Sequence, residues 1–177
     1  KHLRQVILLQ LILQIQYDVY LGDRSRKKIV VVDEAWDLLK EGEVASFMEA
    51  AYRKFRKYNG AVLIATQSVS DLYENPVGRA IAENSATMCL LGQKPEAIES
   101  VTKKGQLELS PAYVNLLKSV HTEAGVFSEI FVKSERGYGI YRLIVDDYSK
   151  LLYSTSPDEL SAIQRWVDQG FSNTEAI

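Results

Sequence analysis

The sequence predicts an α/β fold: a parallel sheet with helices on both faces, extended by an antiparallel hairpin. Three observations carry this. Continuous apolar runs at residues 29–32, 61–66 and 87–91 read as buried strands. Segments with apolar residues at helical spacing stand between the runs, which is the alternation of a parallel sheet. After Gly125 the pattern changes to two strand-like runs, 126–133 and 138–145, joined by SERG at hairpin spacing, with Gly137 supplying turn freedom. At 177 residues the chain has room for one domain with a real core.

The first helix is expected over residues 3–21. It is greasy, but Gln10, Gln14 and Asp18 recur every four residues and draw one narrow polar stripe along it. Its longest uninterrupted apolar run is residues 6–9, too short for a membrane span. A helix buried on most sides inside a larger assembly is expected instead. The chain opens mid-pattern at Lys1, which suggests a piece of a longer protein. A polar turn, GDRSRKK, leads into IVVV, a strand expected to be covered on both faces. Over residues 43–58, Val44, Met48, Tyr52 and Phe55 recur at helical spacing, and Glu49 and Arg53 form an i,i+4 pair. Asn59 and Gly60 close that helix.

AVLIAT at 61–66 is the second strand. Residues 72–84 are mixed, with Pro76 marking a helix start. Residues 87–91 form the third strand. Within a helical segment, 93–124, two short helices fit residues 95–104 and 111–120, the second opened by Ser110-Pro111. The hairpin fills 125–146. A last helix fits 156–170, with a capping box of Ser156 and Glu159 around Pro157 and a stop at Gly170.

Bulk composition excludes more than it assigns. Apolar residues make up 46% and charged residues 25%, as in ordinary globular chains. The net charge of −2 says nothing about nucleic acid, although Arg24, Arg26, Lys27 and Lys28 form one basic cluster and Arg53, Lys54, Arg56 and Lys57 another. Solvated surface is the plain reading of both. The lone Cys89 sits in the apolar run TMCLL, looks buried and cannot staple the fold. No secretory signal precedes it, so cytoplasmic residence is expected. His2 and His121 have no second ligand at metal spacing, and no G-x-S-x-G elbow exists.

The chemistry concentrates at KKIVVVDEAWDLL. A buried strand ending in Asp33-Glu34 places two carboxylates at the carboxyl edge of a parallel sheet, where such folds bind ligands. This suits phosphoryl transfer. Asp33, first off the strand, is the candidate to hold Mg²⁺, usually through water. Glu34 is the candidate base for the attacking water. The bland alternative is a solvated acid pair. A second signal weighs against it: the next strand ends in Thr66-Gln67-Ser68, so a neutral hydrogen-bonding side chain leaves at the same edge. Gln67 is placed to sense a γ-phosphate or position water. Arg56, eleven residues before Gln67, ends a helix. An arginine reaching a neighbour's site stabilises transition-state charge by about 10³ to 10⁵ in rate. Arg53 is the near competitor, and a plain surface arginine is the alternative for either.

KIVVVDEAWDLL, FRKYNGAVLIATQSVSDL, ENSATMCLLGQ and YRLIVDDYSKLLYSTSPDE together resemble the C-terminal ATPase domain of the TraC family, the conjugative-transfer ATPases of type IV secretion systems and relatives of the HerA and FtsK motors. The resemblance spans nearly the whole chain. It implies a RecA-like P-loop NTPase core, ATP with Mg²⁺, and hexameric self-assembly on the cytoplasmic face of the inner membrane of a Gram-negative bacterium. It also implies partners in the inner-membrane secretion channel, with coupling or relaxosome proteins beside them. The implied task is energy for pilus assembly and DNA transfer. On that basis Asp33 and Glu34 match the Walker B pair, Gln67 the family's glutamine and Arg56 the trans arginine, with Thr66 beside the nucleotide.

One departure is large. A phosphate loop needs G-x-x-x-x-G-K-[ST], and none of the ten glycines is followed by lysine. The expectation is that the loop lies upstream of Lys1 and that this chain alone does not turn over ATP. Two alternatives stay open. In one the chain is a non-catalytic docking module for secretion-channel or relaxosome partners. In the other it belongs to a DNA-pumping motor whose basic clusters touch nucleic acid with salt-dependent affinity.

Overall fold

The structure, a computed structural model, describes residues 2–35 and 42–177. Residues 36–41, which hold the end of the acidic motif, lie outside the described residues. Helix α1 (His2–Gln16) runs into a wider π turn (Tyr17–Leu21). The Gly22 N–H closes that turn on the Tyr17 carbonyl at 3.2 Å. A Cβ at Gly22 would stand 2.3 Å from the Asp18 carbonyl oxygen, so only glycine fits there.

Strands β1 (Lys28–Val32) and β2 (Gly60–Ile64) pair in parallel, in register from Lys28↔Gly60 to Val32↔Ile64. The crossover between them contains α2 (Gly42–Lys54) and a 3-10 turn (Phe55–Tyr58). That turn stops on Asn59, whose φ of 58° is left-handed backbone that asparagine tolerates. Val30, Val32, Val62 and Ile64 pack against a core of Val19, Phe47, Met48, Ala51, Phe55 and Ile81.

Among the described residues, the other face of this sheet has no cover. Ile29, Val31 and Leu63 are 71%, 63% and 57% exposed. Cover on both faces, as the apolar runs suggest, is therefore absent among the described residues. The reason lies in packing: α1, α2 and α3 (Pro76–Asn84) all contribute to the core on one side. Helix α1 likewise leaves Leu3, Val6, Leu11 and Leu13 exposed.

The third apolar run departs from expectation in a second way. Strand β3 (Thr87–Leu90) does not join the parallel sheet. It pairs antiparallel with β5 (Phe127–Ser134), from Thr87↔Ser134 to Leu90↔Phe131. On its other edge β5 pairs with β6 (Gly137–Leu143), which completes the expected hairpin. A two-residue strand β4 (Thr122–Glu123) also joins β5. Leu90 and Phe131 meet Val69, Ile98, Val101 and Leu117 in a second core, covered by α4 (Pro95–Lys103) and α5 (Pro111–Lys118). An apolar run announces a buried strand but not its partner. Strand alternation also turns Cys89 outward, so the cysteine is exposed rather than buried.

Three short helices end the chain. Helix α6 (Asp147–Leu152) was not expected. Asp146 caps it by accepting the Ser149 N–H at 2.9 Å. Helix α7 (Pro157–Asp168) lacks its expected capping box. The Ser156 side chain makes no cap bond, and the Glu159 carboxylate instead accepts from the Ser154 hydroxyl. A complete box forms later, at α8 (Asn173–Ala176), between Ser172 and Glu175. No described helix is long and apolar enough to cross a membrane.

Candidate functional site

β1 and β2 end side by side. The Ala65 N–H donates to the Val32 carbonyl at 2.9 Å, and the Ala35 N–H donates to the Ala65 carbonyl at 3.0 Å. These bonds carry the parallel ladder past the last strand residues. They bring Asp33-Glu34 and Thr66-Gln67 to one carboxyl edge. Asp33, Glu34 and Gln67 are exposed there, and Thr66 is half-buried.

The local geometry of the acid pair is specific. Asp33 Oδ1 accepts the Glu34 N–H at 2.9 Å, and among the described residues its second carboxylate oxygen has no partner. Glu34 has φ 51°, in the left-handed region. For a residue with a Cβ this conformation costs on the order of 1–2 kcal/mol. Strain of this size persists where surrounding bonds hold it, and the Asp33 bond and the Ala35–Ala65 bond bracket Glu34.

Thr66 has a different partner from the one its position suggests. Its hydroxyl donates to the Ser68 carbonyl at 2.8 Å. A hydroxyl has one proton, so while this bond holds Thr66 has none to offer a phosphate. Ser68 then caps a 3-10 helix (Val69–Tyr73). The Ser68 N–H donates to Asp71 Oδ2 at 3.0 Å, and Ser68 Oγ accepts the Ser70 N–H at 3.3 Å. From beyond β3, Gln93 Oε1 accepts the Val69 N–H at 3.0 Å. Neither the strain at Glu34 nor the Gln93 bond had a signal in the sequence.

Arg56 lies on the 3-10 turn that precedes β2, so it sits at the amino edge of the sheet. A five-residue strand spans about 16 Å, and Arg56 does not join the acid pair of its own chain. Arg53 is tied to Glu49 at 2.8 Å on α2, the expected i,i+4 pair. Arg56 makes no ion pair among the described residues. In the other basic cluster, Arg24 lies 4.8 Å from the centre of the Tyr58 ring and Lys28 Nζ donates to the Asp23 carbonyl at 2.7 Å.

Among the described residues no group of three or more His, Cys, Asp or Glu is placed to hold a metal ion. A single carboxylate with one oxygen unengaged among the described residues, as at Asp33, fits Mg²⁺, which keeps several waters and takes further oxygens from bound phosphates. A second polar cluster lies far along the chain, on the antiparallel sheet. Glu129 on β5 is only 6% exposed and accepts from Arg142 Nε at 3.0 Å and from the His121 N–H at 3.3 Å. Burial pushes its carboxyl up, but the bonds from Arg142 and His121 outweigh this and hold it below the ordinary glutamate range.

The sequence pattern of the TraG P-loop domain matches residues 5–177. The chain belongs to the TraG P-loop domain family. Protein TraC of Escherichia coli K12 is 27% identical to this TraG P-loop domain over 177 residues, which is 97% of this chain and 20% of TraC. The type IV secretion system protein CagE of Helicobacter pylori is 36% identical over 67 residues, 38% of this chain and 7% of CagE. The type IV secretion system protein VirB4 of Bartonella quintana is 34% identical over 63 residues, 36% of this chain and 8% of that protein. The solved structure of VirB4 of Thermoanaerobacter pseudethanolicus superposes on 88% of this chain and 39% of its own, with a TM-score of 0.56 and 24% identity. That likeness concerns the fold. The chain thus spans about a fifth of the length of the TraC relative.

Proposed function

We propose that this chain is the downstream part of an ATP-hydrolysing motor that energises type IV secretion, including pilus assembly and conjugative DNA transfer. The observation that carries the reading is the shared carboxyl edge. Two carboxylates leave one parallel strand and a glutamine leaves its neighbour, in a family defined by P-loop domains. In this reading Asp33 holds Mg²⁺ through water. The ion, with ATP bound, would neutralise charge on the phosphates. Glu34 takes the proton of the attacking water as its oxygen bonds to the γ-phosphorus and the bond to ADP breaks. Gln67 orients that water or reads the γ-phosphate. Thr66 shapes the turn through Ser68 and faces the nucleotide with acceptor capacity only. The phosphate grip comes from a loop outside these 177 residues.

Arg56 is assigned to a neighbouring subunit's site. Its position at the opposite edge and its lack of an ion pair among the described residues support it over Arg53, which Glu49 engages. Hexameric self-assembly, a peripheral place on the cytoplasmic face of the inner membrane, and contacts with channel, coupling or relaxosome proteins belong to the same proposal. The docking-module reading draws on one observation, the bare apolar face of β1–β2 and α1. It gives no reason for Asp33, Glu34 and Gln67 to share an edge.

The test is ATP turnover by the longest natural polypeptide that carries this chain together with a phosphate loop. Glu34→Gln is expected to lower kcat by about 100-fold or more, the usual contribution of a general base. The 177 residues alone are expected to release no phosphate. Unchanged turnover in Glu34→Gln would sink the assignment.

A further inference from the structure

Residue Gln93, which follows β3, takes no part in the acid edge, yet it holds the turn that carries Gln67. Its Oε1 accepts the Val69 N–H at 3.0 Å, across 24 residues of sequence. Val69 is buried in the second core. Its N–H is one of the orphan donors that open a helix, and water does not reach it readily. Leaving such a donor unpaired costs its desolvation, so the turn has a reason to follow Gln93. Four other donors of the turn are served from within it. Asp71 takes the Ser68 N–H, Ser68 Oγ takes the Ser70 N–H, and the Ser68 carbonyl takes both the Asp71 N–H and the Thr66 hydroxyl. The bond from Gln93 is thus a tie from outside. Because β3 belongs to the antiparallel sheet, this tie links that sheet to the carboxyl edge of the parallel one.

We propose that Gln93 is a positioning residue for Gln67: its carboxamide oxygen fixes the 66–69 turn by way of the Val69 N–H, and so fixes where the Gln67 side chain stands beside Asp33 and Glu34. The inference rests on the ATPase reading. It predicts a loss in the chemical step and not in nucleotide capture, since the phosphate grip is supplied by other residues.

The test uses the ATP-hydrolysing full-length protein. Gln93→Leu keeps the size and removes the acceptor. It is expected to lower kcat about tenfold or more with KM for ATP within about twofold, because small misplacements of a positioned group cost that much. Gln93→Glu keeps an acceptor at the same reach and is expected to restore kcat to within about threefold of the parent. In a Gln67→Ala background, Gln93→Leu is expected to cost nothing further, since both act through one group. Should Gln93→Leu fail to fold, Gln93→Asn, one methylene short of Val69, has the same expected outcome. If Gln67→Ala lowers kcat while the Gln93 variants do not, or if the two losses multiply, this inference is overturned and the ATPase reading stands. If Gln67→Ala itself leaves kcat unchanged, the role given to Gln67 falls and this inference with it, while the ATPase reading still rests on Glu34→Gln.

Discussion

At Glu34, the proposed chemistry and backbone strain coincide. A left-handed φ of 51° on a residue with a Cβ is unfavourable, and glycine would relax it. Glu34→Gly is therefore expected to raise unfolding stability by about 1 kcal/mol while removing turnover. Chemical denaturation alongside the ATPase assay checks both halves. A variant less stable than its parent would show that the conformation carries no strain. The acid pair was legible in the sequence because an apolar run ending in Asp-Glu marks a strand end directly. Gln67 was legible for the same reason. Gln93 was not, because nothing local distinguishes a glutamine that bonds a backbone N–H 24 residues away. The bond Thr66 makes was not legible at this scale: its hydroxyl donates to the Ser68 carbonyl and keeps acceptor capacity only.

Among the elements, the antiparallel sheet has its own electrostatic clasp. Glu129 on β5 accepts from Arg142 on β6 and from His121 just before β4, and the Arg142 guanidinium lies 4.2 Å from the centre of the Phe127 ring. Its carboxyl is held below the ordinary value of 4.5 in the fold. Folding therefore favours the ionised form. The stability this gives is complete above the ordinary value and is lost as pH falls through the lower folded value. Glu129→Gln is expected to flatten the acid limb of stability relative to the parent, read from denaturant midpoints between roughly pH 6 and pH 3. Parallel curves for the two proteins would refute the clasp. The hairpin itself could be read from SERG and its flanking runs. The pairing of β3 with β5 could not. Four apolar residues fit either sheet, and the choice fell to Phe131, which closes the second core over Leu90. The Ser156 box failed for a similar reason: Ser154 lies close enough to take the Glu159 carboxylate first.

For the whole molecule, the two ends of the parallel sheet have different roles in the proposal. Asp33 and Glu34 occupy the carboxyl edge and Arg56 the amino edge, so one chain does not bring them together. Action in trans makes a sharp prediction. Mixed assemblies of Glu34→Gln and Arg56→Ala subunits should recover turnover that neither variant shows alone, because some sites then combine an intact acid pair with an intact arginine. Turnover of the mixture equal to the average of its parts would place Arg56 outside the chemistry.

The sequence by itself determined the alternation of strands and helices, the hairpin, the acid pair and the glutamine that follows the second strand. These are read from neighbours in the chain: period, punctuation and the residue that ends a run. Tertiary structure alone decided that the apolar runs divide between two sheets, that among the described residues one face of the parallel pair is bare, that Cys89 points outward, and that Gln93 accepts the Val69 N–H. Each of these depends on which surfaces meet, and burial is shared among residues far apart in sequence.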